Sequence, residues 1–258
     1  MKRAFQKDKG KEVIQKFKHE EKNEIRLNKY LSASGFSSRR EADRIIEDKR
    51  VKIDGVLADV GATVNILQTV SVDDKVINLK KSHTYLILNK PKGITCTLEK
   101  DVEGNLYEFM NFNEHLFPVG RLDKDSTGLL ILTSDGDIVN KILRSENRHD
   151  KEYIVRVNKV ITNSFLKKMS EGVEITNTKN NTRVKTNKCQ VSFINKHTFK
   201  IVLNQGFNRQ IRRMCTGLNY HVEDLHRIRI MNIKIEDLKE GQYRYLTQEE
   251  LDILNIEL

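Results

Sequence analysis

The chain has 258 residues, 38% hydrophobic and 32% charged, and carries a formal net charge of +10. That balance suits a soluble protein with a core, in one large domain or two modest ones, and its excess of Lys and Arg favours a polyanionic partner, nucleic acid first. Cys96, Cys189 and Cys215 are far apart and odd in number, so they indicate neither a disulfide framework nor a zinc pattern. No apolar run approaches transmembrane length, and no apolar segment follows the basic N-terminus as a secretory signal requires, so a cytoplasmic protein is expected.

Residues 1–24 are dominated by Lys, Glu, Gln and Asp and read as a basic flexible tail, because so few apolar groups cannot offset the entropy of ordering. Leu27, Tyr30 and Leu31 then have helical spacing, with Gly35 as the stop. Ser38 followed by Glu41 is a capping-box pattern that opens a second helix, from Arg39 to about Lys49, burying Ala42, Ile45 and Ile46. Asp54-Gly55 between Val51, Ile53, Val56 and Leu57 predicts a hairpin turn. Short strands continue through Val64, Val70, Val72, Val76 and Ile77 to about residue 80.

This compact basic module resembles an S4 RNA-binding domain over residues 25–80. The resemblance rests on Arg26-Leu27-Asn28-Lys29-Tyr30-Leu31, Ser38-Arg39-Arg40-Glu41-Ala42 and Val51-Lys52-Ile53-Asp54-Gly55. It implies RNA binding through the helix pair, with Arg26, Lys29, Arg39, Arg40 and Arg44 as contacts. Glu41, Asp43, Glu47 and Asp48 on the same helix dilute that positive field.

Lys80 to His83 reads as a linker, and Tyr85 to Lys90 opens a second, larger unit, 85–258, with a strand that Pro91-Lys92-Gly93 turns. Lys90 and Lys92 are expected at the surface or facing RNA. Four consecutive apolar residues, Leu129 to Leu132, lie between Gly128 and Asp135-Gly136, which reads as a strand buried on both faces. A helix over Asp137 to Leu143, an alternating strand over Lys151 to Val157 and a helix from Thr162 to Met169 that ends near Gly172 follow. Two or three strands over Val184 to Leu203, a helix over Asn208 to Gly217, strand from Leu225 to Ile235 and a helix over Thr247 to Leu254 complete the chain. Strands outnumber helices and mostly succeed one another, so the second unit is expected to be α+β with a mainly antiparallel sheet.

Three segments of this unit hold polar groups suited to one site: Gly120-Arg121-Leu122-Asp123, Lys151-Glu152-Tyr153, and Asn208 to Met214 followed by Leu225-His226-Arg227. An enzyme that modifies a base in folded RNA must first take it out of the stack. It then needs an aromatic or apolar platform and a carboxylate kept ionised by a cation.

These segments resemble the RsuA/RluF-type pseudouridine synthases, over residues 25–250, a family that often carries an S4 module. The most specific stretch is Gly120 to Leu129, then Arg209-Gln210-Ile211-Arg212-Arg213-Met214. With Lys141-Ile142-Leu143-Arg144 and Arg229-Ile230-Met231-Asn232, they look closest to the RluF branch, which modifies large-subunit ribosomal RNA. The resemblance implies isomerisation of uridine to pseudouridine without cofactor or metal. It makes Asp123 the catalytic aspartate that attacks the target nucleotide. It gives Arg121 the space left by the flipped base, Tyr153 the stack on the base and a later proton transfer, Arg212 the role of basic partner of the aspartate, and Leu225 the floor beneath the base. Arg212 and Arg213 are neighbours, and the sequence leaves open which one faces Asp123. Asp125 reads as structural, capping or bonding Thr127, and Arg227 fits an RNA phosphate equally well. The implied partner is 23S rRNA or a large-subunit assembly intermediate, with tRNA as the other candidate, and a monomer is expected.

Two rival readings remain at this level. Asp123-Lys124-Asp125-Ser126-Thr127 also fits the D-x-D-x-T pattern of magnesium-dependent haloacid-dehalogenase-type phosphatases, but Pro118-Val119-Gly120-Arg121 stands where those enzymes have an apolar strand. A non-catalytic RNA-binding ribosome-assembly protein would keep the fold but would not need Asp123, Tyr153 and Arg212 together.

Overall fold

The Ser38 hydroxyl accepts a hydrogen bond from the Glu41 amide at 3.2 Å and so starts a helix where the sequence puts it. The computed structural model describes residues 24–65, 67–79, 82–99, 101–112, 116–143, 149–177 and 181–257. Residues 1–23 of the expected tail, Lys80 and Lys81 of the expected linker, and Arg144 lie outside the described residues.

The first group of elements is β1 (Glu24–Arg26), α1 (Leu27–Ala33), α2 (Arg39–Glu47), β2 (Val51–Ile53), β3 (Val56–Leu57), β4 (Thr63–Asn65), β5 (Val70–Val72) and β6 (Lys75–Ile77). Strands β3-β2-β5-β6 form an antiparallel sheet, and β1 pairs with β4. The β2–β3 turn has both Asp54 and Gly55 at positive φ, 50° and 83°, the backbone that the Asp-Gly pair favours. Leu27, Leu31, Ala42, Ile46, Val51 and Val70, none more than 1% exposed, form this group's own core.

The second group begins with β7 (Tyr85–Lys90), α3 (Leu106–Met110), β8 (Phe117–Val119), β9 (Thr127–Thr133) and α4 (Gly136–Leu143). It continues with β10 (Lys151–Val157), α5 (Asn163–Glu171), β11 (Glu174–Asn177), β12 (Thr182–Lys185), β13 (Gln190–Asn195) and β14 (Thr198–Leu203). It ends with α6 (Gln210–Gly217), β15 (Val222–Ile230), β16 (Ile233–Lys234), β17 (Tyr243–Tyr245) and α7 (Gln248–Glu257). A nine-stranded sheet runs β13-β14-β10-β15-β9-β7-β17, with β16 on β15 and β8 on β9, while β11 and β12 pair as a separate hairpin. Every pairing between these strands is antiparallel except β9 with β15, so the expected α+β, mainly antiparallel architecture is what forms.

All seven residues of β9 are buried, as its uninterrupted apolar run requires. Its side chains alternate: Leu129 and Ile131 join the core under α4 and α7, and Leu130 and Leu132 join the core under α3. Phe165 and Met169 of α5 and Ile211, Met214 and Cys215 of α6 pack on Val155, Phe199, Ile201 and Leu225 of the neighbouring strands. Tyr153 borders both this core and the one under α3, so these two lie on the same side of the sheet. All three cysteines are free. Among the described residues no helix is long and apolar enough to cross a membrane.

The sequence reading did not anticipate β1, α3, β8, β11 and β17. Two of these are three-residue strands at a sheet margin, and β8 contains Pro118, which demotes any strand assignment because proline has no amide to donate.

The single parallel junction depends on Gly128, paired opposite Arg227 with φ at +107°. A Cβ there would lie 2.2 Å from the Arg227 carbonyl oxygen and 2.5 Å from its nitrogen, both backbone atoms that cannot swing aside. Gly128→Ala is therefore expected to destabilise the protein by at least ~2 kcal/mol in urea unfolding, through overlap and strained backbone together. An unchanged midpoint would contradict this account of the junction.

Candidate active site

Asp123 lies in the loop between β8 and β9, and backbone bonds fasten that loop on three sides. The Ser126 amide donates to the Asp123 carbonyl at 3.0 Å, the Gly93 amide to the Lys124 carbonyl at 2.8 Å, and the Leu122 amide to the Cys96 Sγ at 3.4 Å. Leu122 and Ser126 are buried on either side of Asp123, whose side chain keeps 25% of its exposure. The loop thus presents a partly open carboxylate on a fixed backbone.

Helix α6 supplies the cations. Arg209 Nη1 stands 3.7 Å from Asp123 Oδ2, and the same guanidinium grips Asp125 with two parallel hydrogen bonds of 3.0 and 2.9 Å. Arg212 Nη2 donates to the Asp125 carbonyl at 3.1 Å and the Ser126 Oγ at 3.2 Å, lies 3.4 Å from Asp125 Oδ2, and its Nη1 donates to the Val222 carbonyl at 3.2 Å. Arg213 turns away, to the Thr176 carbonyl and Asn208 Oδ1. The expected pairing of Asp123 with Arg212 or Arg213 is therefore corrected: Arg209 is the neighbouring cation, and Arg212 holds the backbone and the second carboxylate of the same loop. The reason is local. Arg209 is the N-cap of α6 with φ at +51°, a left-handed turn that sets its side chain off the helical stripe of Arg212.

Asp125 is structural, as expected, but its partner is Arg209 rather than Thr127. The Arg209 hydrogen bonds hold its carboxyl below the usual carboxylate value, against a smaller opposing push from burial. Thr127 Oγ1 instead contacts His226 Nδ1 at 2.8 Å, and burial pushes that imidazole below its ordinary value.

Tyr153 on β10 sits opposite Arg227 on β15, and Val155 sits opposite Leu225. Paired residues of adjacent strands share a face, so Tyr153, Leu225 and Arg227 line one side of the sheet, the side covered by α6. Leu225 is 6% exposed, and Tyr153 is half-buried. Arg121 is exposed, with no ion pair or hydrogen bond among the described residues. Glu152 does not join the site: it points to the opposite face, bound by Arg229 at 2.6 Å and Lys200 at 3.0 Å.

Sequence reasoning misplaced Lys90. It is 0% exposed, and its Nζ donates to the Pro91 and Ile94 carbonyls at 2.8 and 2.9 Å, tying down the turn that holds the Asp123 loop through Gly93. Burial pushes the ammonium below its usual value, while the Asp123 and Asp125 charges, among others, pull the other way. The signal available was its position, the last residue of a strand whose six residues are all buried. Lys92 is half exposed and pairs with Asp224 at 2.8 Å. Beside Asp125 an open groove of about 840 Å³ runs between α6, β11 and β15, lined by Lys92, Arg209, Arg212, Arg213, Thr176 and Glu223 among others.

In the first group Arg26, Arg39, Arg40 and Arg44 are exposed. Lys29 is not free: it pairs with Asp137 at the start of α4 at 2.7 Å. Arg40 reaches Glu99 at 3.7 Å.

A sheet with a fixed aspartate loop clamped by arginines, after a small basic helix-pair module in the sequence, suits an RNA-modifying enzyme, and comparison with known proteins shows the family. Residues 84–216 match the RNA pseudouridylate synthase family and residues 25–66 match the S4 domain. The chain is 46% identical to the dual-specificity RNA pseudouridine synthase RluF of Escherichia coli (strain K12) over 88% of its own length and 77% of that protein. It is 35% identical to an uncharacterized RNA pseudouridine synthase of Aquifex aeolicus over 88% of its length and 92% of that one. A crystal structure of a pseudouridylate synthase superposes with a TM-score of 0.64 at 27% identity, over 89% of this chain and 99% of the other. The chain belongs to the RNA pseudouridylate synthase family. Within it the chain is of the RsuA/RluF type, an enzyme that isomerises uridine in RNA and carries an N-terminal S4 domain.

The Arg209–Asp125 clamp has a pH signature. Because the folded carboxyl of Asp125 is depressed, its contribution is complete above the unfolded value of about 4 and is lost as pH falls through the lower folded value. Arg209→Gln is expected to cost at most ~1 kcal/mol at neutral pH, the pair being half exposed, with the gap to wild type closing below pH ~4. Parallel urea titrations from acid to neutral pH check it; a gap that stays constant with pH refutes the clamp.

Proposed function

We propose that this synthase converts a uridine of 23S rRNA, or of a large-subunit assembly intermediate, using Asp123 on a base flipped out of the RNA. The single observation that carries the reading is the partly open Asp123 carboxylate, fixed by its loop and set 3.7 Å from a guanidinium. Arg209 keeps that carboxylate oriented while the substrate arrives. Asp123 attacks C1′ of the target nucleotide as the C1′–N1 bond breaks; the base then turns and bonds C1′ through C5, and the Asp123–C1′ bond breaks to return the carboxylate. Tyr153 and Leu225 hold the base between an aromatic face and an apolar floor. Arg121, exposed and unpaired, fills the space the base leaves. Arg212 fixes the loop beneath the substrate.

In this reading residues 25–80 form the RNA-binding domain and 85–258 the catalytic domain. Arg26, Arg39, Arg40 and Arg44 approach phosphates, and Lys29 joins them if it leaves Asp137. The protein acts as a cytoplasmic monomer. The net charge of +10 supports a polyanionic partner of this size. tRNA is the second substrate to examine, because the Escherichia coli relative is named dual-specificity.

Asp123→Asn is expected to abolish pseudouridine formation while RNA binding survives; full activity in that variant sinks the mechanism. Mapping pseudouridines in total RNA from cells with the protein, without it, and with Asp123→Asn identifies the site, and a map unchanged by deletion overturns the rRNA assignment. Deleting residues 1–80 is expected to weaken rRNA binding and flatten its salt dependence, since fewer phosphate contacts release fewer counterions. Unchanged affinity removes the role given to the S4 domain.

A further inference from the structure

Arg227 is buried more deeply than its charge warrants. It is 3% exposed, its Nε donates to the Leu129 carbonyl at 2.7 Å, and its Nη2 is buried with no hydrogen-bond partner among the described residues. A guanidinium held in this way, with no carboxylate paired to it among the described residues, is costly, and the unmade bond adds to the cost. The residue does not act as an exposed phosphate contact. Its Cζ stands 6.0 Å from the centre of the Tyr153 ring, and it shares the face of Tyr153 and Leu225 on which the base is proposed to rest. Lys151, two residues before Tyr153 on β10, adds a second cation, and burial and then the Arg227 charge push its ammonium below the usual value, with Asp150 pulling the other way. This end of the Tyr153–Leu225 face is therefore electropositive.

Resting on the synthase reading above, we propose that Arg227 is a catalytic residue, a buried electrostatic partner for the uracil as it leaves C1′. When the C1′–N1 bond breaks, its electron pair stays on the base, spread over N1, O2 and O4. As the half-buried Tyr153 ring shifts to stack on the base it uncovers Nη2, which donates to a uracil carbonyl oxygen, and that hydrogen bond strengthens as the charge develops. When C5 then bonds to C1′, the C5 proton is lost and N1 takes one up, so the product is an isomer and the charge on the base disappears. A preorganised donor facing a developing charge in a water-poor site acts on the rate more than on binding. The Leu129 anchor and the close Gly128–Arg227 junction preorganise it, since they fix the backbone and the Nε of the side chain before substrate binds.

The test is leaving-group dependence in single turnover. Arg227→Gln and wild type are compared on the same rRNA fragment carrying uridine or 5-fluorouridine at the target, and the rate read is that of C1′–N1 cleavage, because 5-fluorouridine has no C5 proton to lose and does not complete the isomerisation. Fluorine makes the base a better leaving anion and reduces the need for a cation. The expected result is a loss of about 10²–10³-fold in the rate on uridine, with RNA affinity within about twofold of wild type, and a loss on 5-fluorouridine at least ~10-fold smaller. Arg227→Lys, which keeps the charge, is expected to recover part of the uridine rate, and it serves as the test variant if Arg227→Gln does not fold. Equal losses on both substrates, or a loss confined to RNA affinity, overturn the proposal. Wild type that forms no pseudouridine overturns the reading beneath it instead.

Discussion

Two guanidinium groups from the start of one helix hold the loop that carries Asp123. Arg209 and Arg212 leave the start of α6 in different directions and meet the 123–126 loop at five points: the Asp123 carboxylate, both oxygens of Asp125, the Asp125 carbonyl and the Ser126 hydroxyl. Without them the loop would keep its backbone bonds, but the Asp125 carboxylate would stand unpaired at the edge of the groove beside Asp123. With them, Asp125 takes up the bidentate bonds and Asp123 is left partly open. The charge that looked redundant in Asp123-Lys124-Asp125 is divided: one carboxylate is tied by two hydrogen bonds to Arg209 and the other keeps a quarter of its surface open.

The sheet makes this clamp possible. The parallel contact of β9 with β15 brings the end of the loop next to the strand that carries Leu225 and Arg227, and Gly128 is the residue that permits the approach. On the other side of β15, β10 supplies Tyr153 in register with Arg227. Lys90 secures the far side of the loop from inside the core, through the 91–94 turn and the Gly93 amide. Four segments distant in sequence thus converge because each strand is fixed by its own core. The S4 domain has a separate core and meets the catalytic elements through polar contacts such as Lys29 with Asp137. Contacts of that kind weaken with salt and compete with phosphate.

Much of this was legible in the residues. The Ser38 cap, the Asp54-Gly55 turn and the buried 129–132 strand each have a local cause, and each formed as that cause dictates. Segments whose stability comes from neighbours were not legible: β8 carries a proline and survives because β9 pairs with it, and α3 is a single capped turn and a half. The site divided in the same way. Its segments were identifiable by resemblance, but the direction of each arginine was not, because a helix N-cap at positive φ cannot be read from Asn-Arg-Gln-Ile-Arg-Arg. A lysine at the end of an apolar run looked like a surface group until the sheet closed over it.

The central claim is that this preformed loop isomerises uridine in ribosomal RNA. Its most direct measurement is tritium release from a 23S rRNA transcript labelled with [5-³H]uridine, incubated with the purified protein alone. Each conversion replaces the C5–H bond with a C5–C1′ bond and sends that tritium to water. The account predicts release that rises to a plateau stoichiometric with the RNA. A transcript that retains all its tritium, while binding the protein normally, would contradict it.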